Sequence, residues 1–343
     1  MYFRFKIITL FVILTLQGIS AQELSLSLVP INVNCSFRGL SVIDDNTAWV
    51  AGTKGTIGIT ANGGNTWSFT VVSGFEKMDF RSIYAFDSKV AVIANAGSPS
   101  YILRTDDGGK SWSTVYENTD PKCFFDGIDF WDSENGIIYG DPLDGRIFIL
   151  TTSDGGRSWK ELPAESRPAV SQGEASFAAS GTGIRCYDRS KVVMVTGGSV
   201  SRFHVSNDAG ATWRSDILPV IQGTETTGAF SVALNGSGDA IICGGDYVNE
   251  LKKIDHIFYS DDEGITWKAP ERPTGGFREC VIFVNGKSAI ALGPGGIDYS
   301  ADKGMTWESL SSETGFHVIA KARRGNLIIA SGNMKIAVIG NKD

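Results

Sequence analysis

The sequence predicts an all-β protein, a seven-bladed β-propeller closed by a strand from the N-terminal end. Three observations predict it: an eight-residue phrase that returns six times, a second repeated stretch before each phrase, and one alternating strand left over near the start. The phrase is Thr or Ser, any residue, Asp or Asn, any residue, Gly, any residue, Thr or Ser, Trp. It occupies residues 60–67, 105–112, 152–159, 206–213, 260–267 and 300–307. Its acidic place holds Asn62, Asp107, Asp154, Asp208, Asp262 and Asp302. The closing tryptophans stand 45, 47, 54, 54 and 40 residues apart. A period of about 40–50 residues marks a propeller, a solenoid or an array.

Each phrase reads as a hairpin. Asp or Asn followed by Gly is turn chemistry, because the side chain bonds nearby amides and Gly accepts a positive φ. The Thr and Ser hydroxyls cap the same turn. The Trp lays a large ring on the sheet, with its N–H free to reach a backbone carbonyl. Strand-like runs such as residues 101–104 and 146–150 precede the phrases, which sets each hairpin between the last two strands of a unit.

The second stretch supplies the first two strands. Residues 37–52, 80–95 and 125–140 have one length, and residues 277–293 and 316–332 are one residue longer. Each is an apolar strand, a polar turn such as Asp44-Asp45-Asn46, and a second strand. Two strands plus the hairpin make four, the content of a propeller blade. Openings at Phe37, Phe80, Phe125, Ile184, Phe230, Phe277 and Phe316 give seven blades, with a six-bladed ring as the rival. The seventh blade lacks the phrase and ends one strand short, after residues 335–339. Residues 24–28 alternate Leu24, Leu26 and Leu28 with serines, and they supply the missing strand. Closure removes the free edges an open sheet would expose.

The chain has 343 residues, 41 of them glycine, and a formal charge of −7. Arg4 and Lys6 precede an apolar run over residues 7–16 and a small-residue exit, the pattern of a secretory signal peptide over residues 1–21. The run is too short for a membrane span. Residues 22–343 then form a single propeller domain, expected as an exported monomer in the periplasm or outside the cell. Without the leader's two basic residues the formal charge is 29 − 38, or −9. Such an acidic chain argues against nucleic-acid binding. Cys35, Cys123, Cys186, Cys243 and Cys280 show no C-x-x-C spacing, so neither a zinc ribbon nor a redox motif is indicated. Cys186, Cys243 and Cys280 lie in apolar runs and read as buried thiols. With three histidines, His204, His256 and His317, and no G-x-G-x-x-G ahead of a helix, no metal and no cofactor is expected.

The candidate site is the residue after each blade opening: Arg38, Arg81, Asp126, Arg185, Ser231, Arg278 and His317. First strands line the axis of a propeller, so these positions form one ring. Four arginines there would repel one another unless an anion or an inner layer of acids offset them. Guanidinium groups take carboxylate and phosphate bidentately. The ring, together with Asp129, therefore reads as a binding site for a protein partner or an anionic ligand such as an acidic glycan. The competing reading is internal neutralisation by Asp126, Asp129, Glu174 and Glu279. Two insertions, residues 162–183 and residues 249–256, break the blade spacing and read as recognition loops or as tolerated additions.

The eight-residue phrase resembles the Asp-box of sialidases and related propellers, where it is a structural turn away from the active face. The six acidic places are accordingly read as structural. With the Phe-Arg openings and the leader, nearly all of the mature chain resembles the propeller family that includes the photosystem II stability and assembly factors and their relatives in non-photosynthetic bacteria. The resemblance implies protein binding and an arginine-rich patch on one face, at Arg38, Arg81, Arg185 and Arg278. The alternative is a sialidase-like or other glycoside hydrolase. Its Arg-Ile-Pro opening is missing, since the chain reads Phe37-Arg38-Gly39-Leu40. Its paired carboxylates would come from Asp126, Asp129 and Asp141.

Overall fold

A computed structural model describes residues 24–341, so the leader over residues 1–21 lies outside the described residues. The described residues form seven antiparallel sheets arranged as blades. Their first strands are Phe37–Val42, Phe80–Ala85, Phe125–Phe130, Ile184–Tyr187, Thr227–Leu234, Cys280–Phe283 and Phe316–Lys321. Each first strand packs beside the next, and the seventh beside the first, so the ring is closed. Blade one shows the pattern: Phe37–Val42, Ala48–Gly52, Thr56–Thr60 and Ser68–Val71 run outward from the axis as a meander. The seven-bladed reading holds and the six-bladed rival does not.

Closure follows the expected route. Leu24–Val29 pairs antiparallel with Lys335–Asn341, from Leu24 opposite Asn341 to Val29 opposite Ile336. It is the outermost strand of blade seven. The apolar face of this strand is only partly used: Leu24 is 8% exposed but Leu28 is 51% exposed. Leu24 and Leu26 join the cluster between blades six and seven, Val29 packs toward blade one, and Leu28 reaches neither cluster.

The core lies between blades. One cluster joins Trp49 and Ile57 of blade one to Phe80, Ile93 and Leu103 of blade two. The Asp-boxes hold the outer turns of this packing. In the third box the Thr152 hydroxyl donates to Asp154 at 2.8 Å and accepts from the Gly156 amide at 3.0 Å. Asp154 accepts the Ser158 amide at 2.9 Å and the Ser158 hydroxyl at 2.6 Å. Gly156 has φ +80°, and a Cβ there would stand 2.8 Å from Val92 of the preceding blade. Only glycine lets this turn press that close. The Gly155 amide then bonds to the Glu134 carbonyl at 2.8 Å, docking the box on its own blade's first turn. The indole N–H finds a backbone carbonyl in three boxes, at Trp67, Trp213 and Trp307, each 3.0 Å from its acceptor. The N–H groups of Trp112, Trp159 and Trp267 have no partner.

Candidate functional site

In most first strands one residue is squeezed out of the ladder by a β-bulge. Phe37 pairs with Gly52 and Gly39 with Ala51, leaving Arg38 between them. Arg81, Asp126 and His317 are bulged in the same way. A bulge re-aims its side chain, and here it aims four residues at one mouth of the axial channel. The other three blades differ from the sequence reading. In blade five Ala229 pairs with Gly244 and Ser231 with Cys243, so Phe230 is bulged rather than Ser231. In blade six the Glu279 amide and Cys280 both face Leu292, so Glu279 takes the place assigned to Arg278. In blade four the turn is shorter. Counting from the box contacts of Asn46 and Ser190, Arg185 matches Ser41, and Thr182 matches Arg38. The mouth ring is therefore Arg38, Arg81, Asp126, Thr182, Phe230, Glu279 and His317, with two arginines rather than four. Counting from the opening aromatic cannot see bulges or turn lengths, which is why it slipped.

The mouth is not open. Residues 176–182, the end of the first insertion, cross it and touch five blades. Arg38 donates to the Ala179 carbonyl at 2.7 Å and Arg81 to the Ala178 carbonyl at 3.3 Å. The Ser180 hydroxyl donates to the Glu279 carbonyl at 2.9 Å, and Thr182 donates to Ser231 at 2.7 Å. The Ser176 amide donates to Asp141 at 3.0 Å. Phe177 stacks on Phe230, with ring centroids 3.9 Å apart. The insertion is a plug. Its base is a short strand, Glu174–Ala175, paired with Gly197–Gly198. Glu174 is fixed by the Thr196 hydroxyl at 2.7 Å, the Ser171 amide at 3.0 Å and an ion pair with Arg202.

Internal acids answer part of the charge. Glu279 pairs with Arg38 at 3.2 Å and with His317 Nδ1 at 2.7 Å, joining blades one, six and seven. Arg81 pairs with Asp79 at 2.7 Å. Arg278 is not on the face at all. Its side chain is 3% exposed, its Nε donates to Asp298 at 2.7 Å, and a second nitrogen of the same fork also meets Asp298. Glu174 serves Arg202 and the plug rather than the ring. Asp126 is wholly buried with neither carboxylate oxygen bonded. Burial pushes its pKa well above the usual range, Asp141 adds to the rise, and Arg81 opposes it. Burial also raises Asp129, against the pull of Arg185 and of amides from Cys186 and Phe130.

Beneath the plug the channel widens to a cavity of about 340 Å³. Ser180, Gly181 and Thr182 roof it, and Arg185 and Asp129 stand on its wall. On the plugged face the second insertion forms a knuckle. Tyr247, Val248, Leu251 and Ile254 are 44%, 65%, 80% and 56% exposed, and Tyr247 meets Phe177 and Phe230 edge-on.

Residues 20–122 match the family described as photosynthesis system II assembly factor YCF48, and residues 258–269 match the BNR/Asp-box repeat. No curated protein sequence matches the chain. The structure of YCF48 bound to a D1 peptide superposes with a TM-score of 0.66 at 17% identity, covering 95% of this chain and 99% of that one. YCF48 from Cyanidioschyzon merolae gives 0.66 at 17% identity, covering 91% and 98%. The chain is an Asp-box, BNR-like seven-bladed propeller, similar to the photosystem II assembly factors. The fold alone is also shared with the GH74 xyloglucanase from Xanthomonas campestris, at 14% identity and a TM-score of 0.57, over 87% of this chain and 52% of that one.

In this Asp-box propeller all five cysteines are free, and Cys186 is half-buried beside the channel rather than buried. Sequence reasoning missed Asp79 and Asp298 as arginine partners, and it missed the plug. The signal for the plug was present: the run Ser176-Phe177-Ala178-Ala179-Ser180-Gly181-Thr182 is almost all small residues, which a narrow axial mouth admits. Among the described residues no helix is long and apolar enough to cross a membrane, and no cluster of His, Cys, Asp and Glu could hold a metal ion.

Proposed function

We propose that this propeller is an exported, non-catalytic binding protein that takes a protein segment across its plugged face, in the manner of an assembly factor. One observation carries the reading. That face already holds a peptide: Arg38 and Arg81 grip the backbone carbonyls of Ala179 and Ala178, and aromatic rings clamp Phe177 beside them. The same face extends to the exposed knuckle around Leu251, whose apolar side chains lack cover. Contiguous exposed apolar residues mark interaction sites. Arg81, with its side chain 32% exposed beside the plug, adds an attraction for acidic segments or an acidic glycan. The solved YCF48 complex with a D1 peptide supports the reading, because a propeller of this fold takes a peptide. The partner of that protein is not transferred. Export rests on Arg4, Lys6 and the apolar run that follows.

The glycosidase alternative is not favoured. It needs two carboxyl groups about 5–9.5 Å apart, flanking a bound sugar. Asp126 is sealed from solvent, and the oxygens of Asp129 accept the Phe130 and Cys186 amides at 2.9 and 2.8 Å. The test is affinity capture from the exported fraction with wild type and with the double variant Arg81→Ala, Leu251→Ser, at low and high salt. A discrete partner lost in the variant, with the melting curve unchanged, is expected. Equal recovery from both proteins would overturn the assignment of this face.

A further inference from the structure

The cavity below the plug has a chemistry of its own. It opens away from the plug, toward the face that carries the Asp-boxes, because residues 180–182 form its roof. At mid-height Arg185 faces it. The only hydrogen bond of that guanidinium is a long one, 3.4 Å, to its own chain at the Ile184 carbonyl, and no carboxylate lies within ion-pair distance among the described residues. Lys321, half-buried at the end of the seventh first strand, also lines the cavity and has no bonded partner among the described residues. At the lower rim the Arg323 guanidinium lies 4.4 Å over the Tyr84 ring and donates to the Ser41 hydroxyl at 3.0 Å and to the Ala85 carbonyl. The Ser82 hydroxyl lines the wall, is buried, and has no partner. Asp129 is the one carboxylate on the lining, and its two oxygens already accept amides.

Arg185, Lys321 and Arg323 all line this cavity without a close ion pair, and the single carboxylate there, Asp129, offsets Arg185 and Arg323 only from a distance, so the lining carries a net positive charge inside an acidic protein. A guanidinium and an ammonium in a confined space repel unless an anion joins them, and charge-assisted hydrogen bonds to a carboxylate satisfy both. About half of the wall is apolar, at Phe130, Leu234 and Phe283 among others, and Ser41, Arg81 and Tyr187 are among its polar residues. A volume of about 340 Å³ is at the small end of ligand pockets. We propose that the axial cavity binds a small organic carboxylate, entering from the Asp-box face, with its carboxylate held by Arg185 and Lys321 and its apolar body against the aromatic wall. Inorganic phosphate fits the cations but leaves the apolar wall uncovered. The plug separates this site from the proposed protein-binding face, and Arg81 borders both.

The test is calorimetric titration of the mature protein with benzoate, succinate and inorganic phosphate, each into wild type, Arg185→Gln and Lys321→Gln. Benzoate or succinate binds wild type more tightly than phosphate does, and each variant weakens that binding by about tenfold or more, the loss of one charged hydrogen-bond contact. Thermal unfolding confirms that the variants are folded, and Lys321→Gln serves if Arg185→Gln is not. Wild type that takes up neither carboxylate at millimolar concentration overturns the proposal. So does binding that both variants retain in full, and so does a preference for phosphate, which would mean that the apolar wall contributes nothing.

Discussion

At the scale of single residues, the Asp-box contains its own control. Five boxes use Asp, and the first uses Asn62 with the same geometry. Asn62 Oδ1 accepts the Thr66 amide at 3.0 Å and its Nδ2 donates to the Thr66 hydroxyl at 2.9 Å, reversing one donor without losing a bond. Asp154→Asn should therefore leave stability at neutral pH nearly unchanged. Asp154→Ala strands the Ser158 amide and hydroxyl and should cost about 1–2 kcal/mol in denaturant unfolding. The acids also predict a pH profile. The Ser111 hydroxyl and amide hold Asp107 at about 2, and Thr266 does the same for Asp262. A pKa below the unfolded value of about 3.9 means stability that is fully present above that value and lost as the pH falls through the folded one. The melting temperature should hold above pH ~4 and fall between there and pH ~2. A fall that is complete well above pH 4 would assign acid sensitivity to other groups. Arg278 gives the sharpest contrast with the sequence reading. Buried against Asp298, it should cost about 3–5 kcal/mol when replaced by Ala, because the carboxylate is left uncompensated. Arg81→Ala, at a half-exposed site, should cost far less.

At the scale of elements, the closing strand makes a separate prediction. Deleting residues 24–29 removes every backbone partner of Lys335–Asn341 on its outer side and uncovers Ile339 and its neighbours. The whole domain should unfold at lower denaturant and aggregate, since an open edge templates pairing. A truncated protein that remains monomeric with an unchanged unfolding curve would mean the ring is held otherwise. The elements were legible because their signals are local. A turn phrase repeated six times and a leftover alternating strand need no long-range knowledge to place. The site was less legible for the converse reason. Arg38, Arg81, Asp126 and His317 were placed correctly at the mouth because their blades share one bulge register. Arg185 and Arg278 stand elsewhere because a short turn and a one-residue shift changed register in their blades; the extra residue of blade six shows in its length, but blade seven has the same length and keeps His317 in register. The plug is not legible in the sequence beyond an insertion, because its partners lie on five different blades and meet only in three dimensions.

At the scale of the whole molecule, the two faces of the ring are unlike. The Asp-box face is a wheel of tight turns around the opening of the axial cavity. The opposite face has its axis sealed by residues 176–182, arginines beside the seal, and an apolar knuckle at one side. Rigid closure by the ring lets loops on either face carry recognition without disturbing the core. The proposed export adds one check: N-terminal sequencing of the exported protein should begin near Gln22, and an intact Met1 in a membrane fraction would contradict it. The central claim, that the plugged face is where a protein partner binds, is tested most directly by site-specific photo-crosslinking in the native cell. A crosslinking amino acid is placed at Leu251 on the knuckle, or at Lys110 within the second Asp-box on the opposite face. The account predicts a discrete adduct from Leu251, lost when Arg81→Ala is added, and none from Lys110. An adduct from Lys110 alone, or one from Leu251 that is indifferent to Arg81, would contradict it.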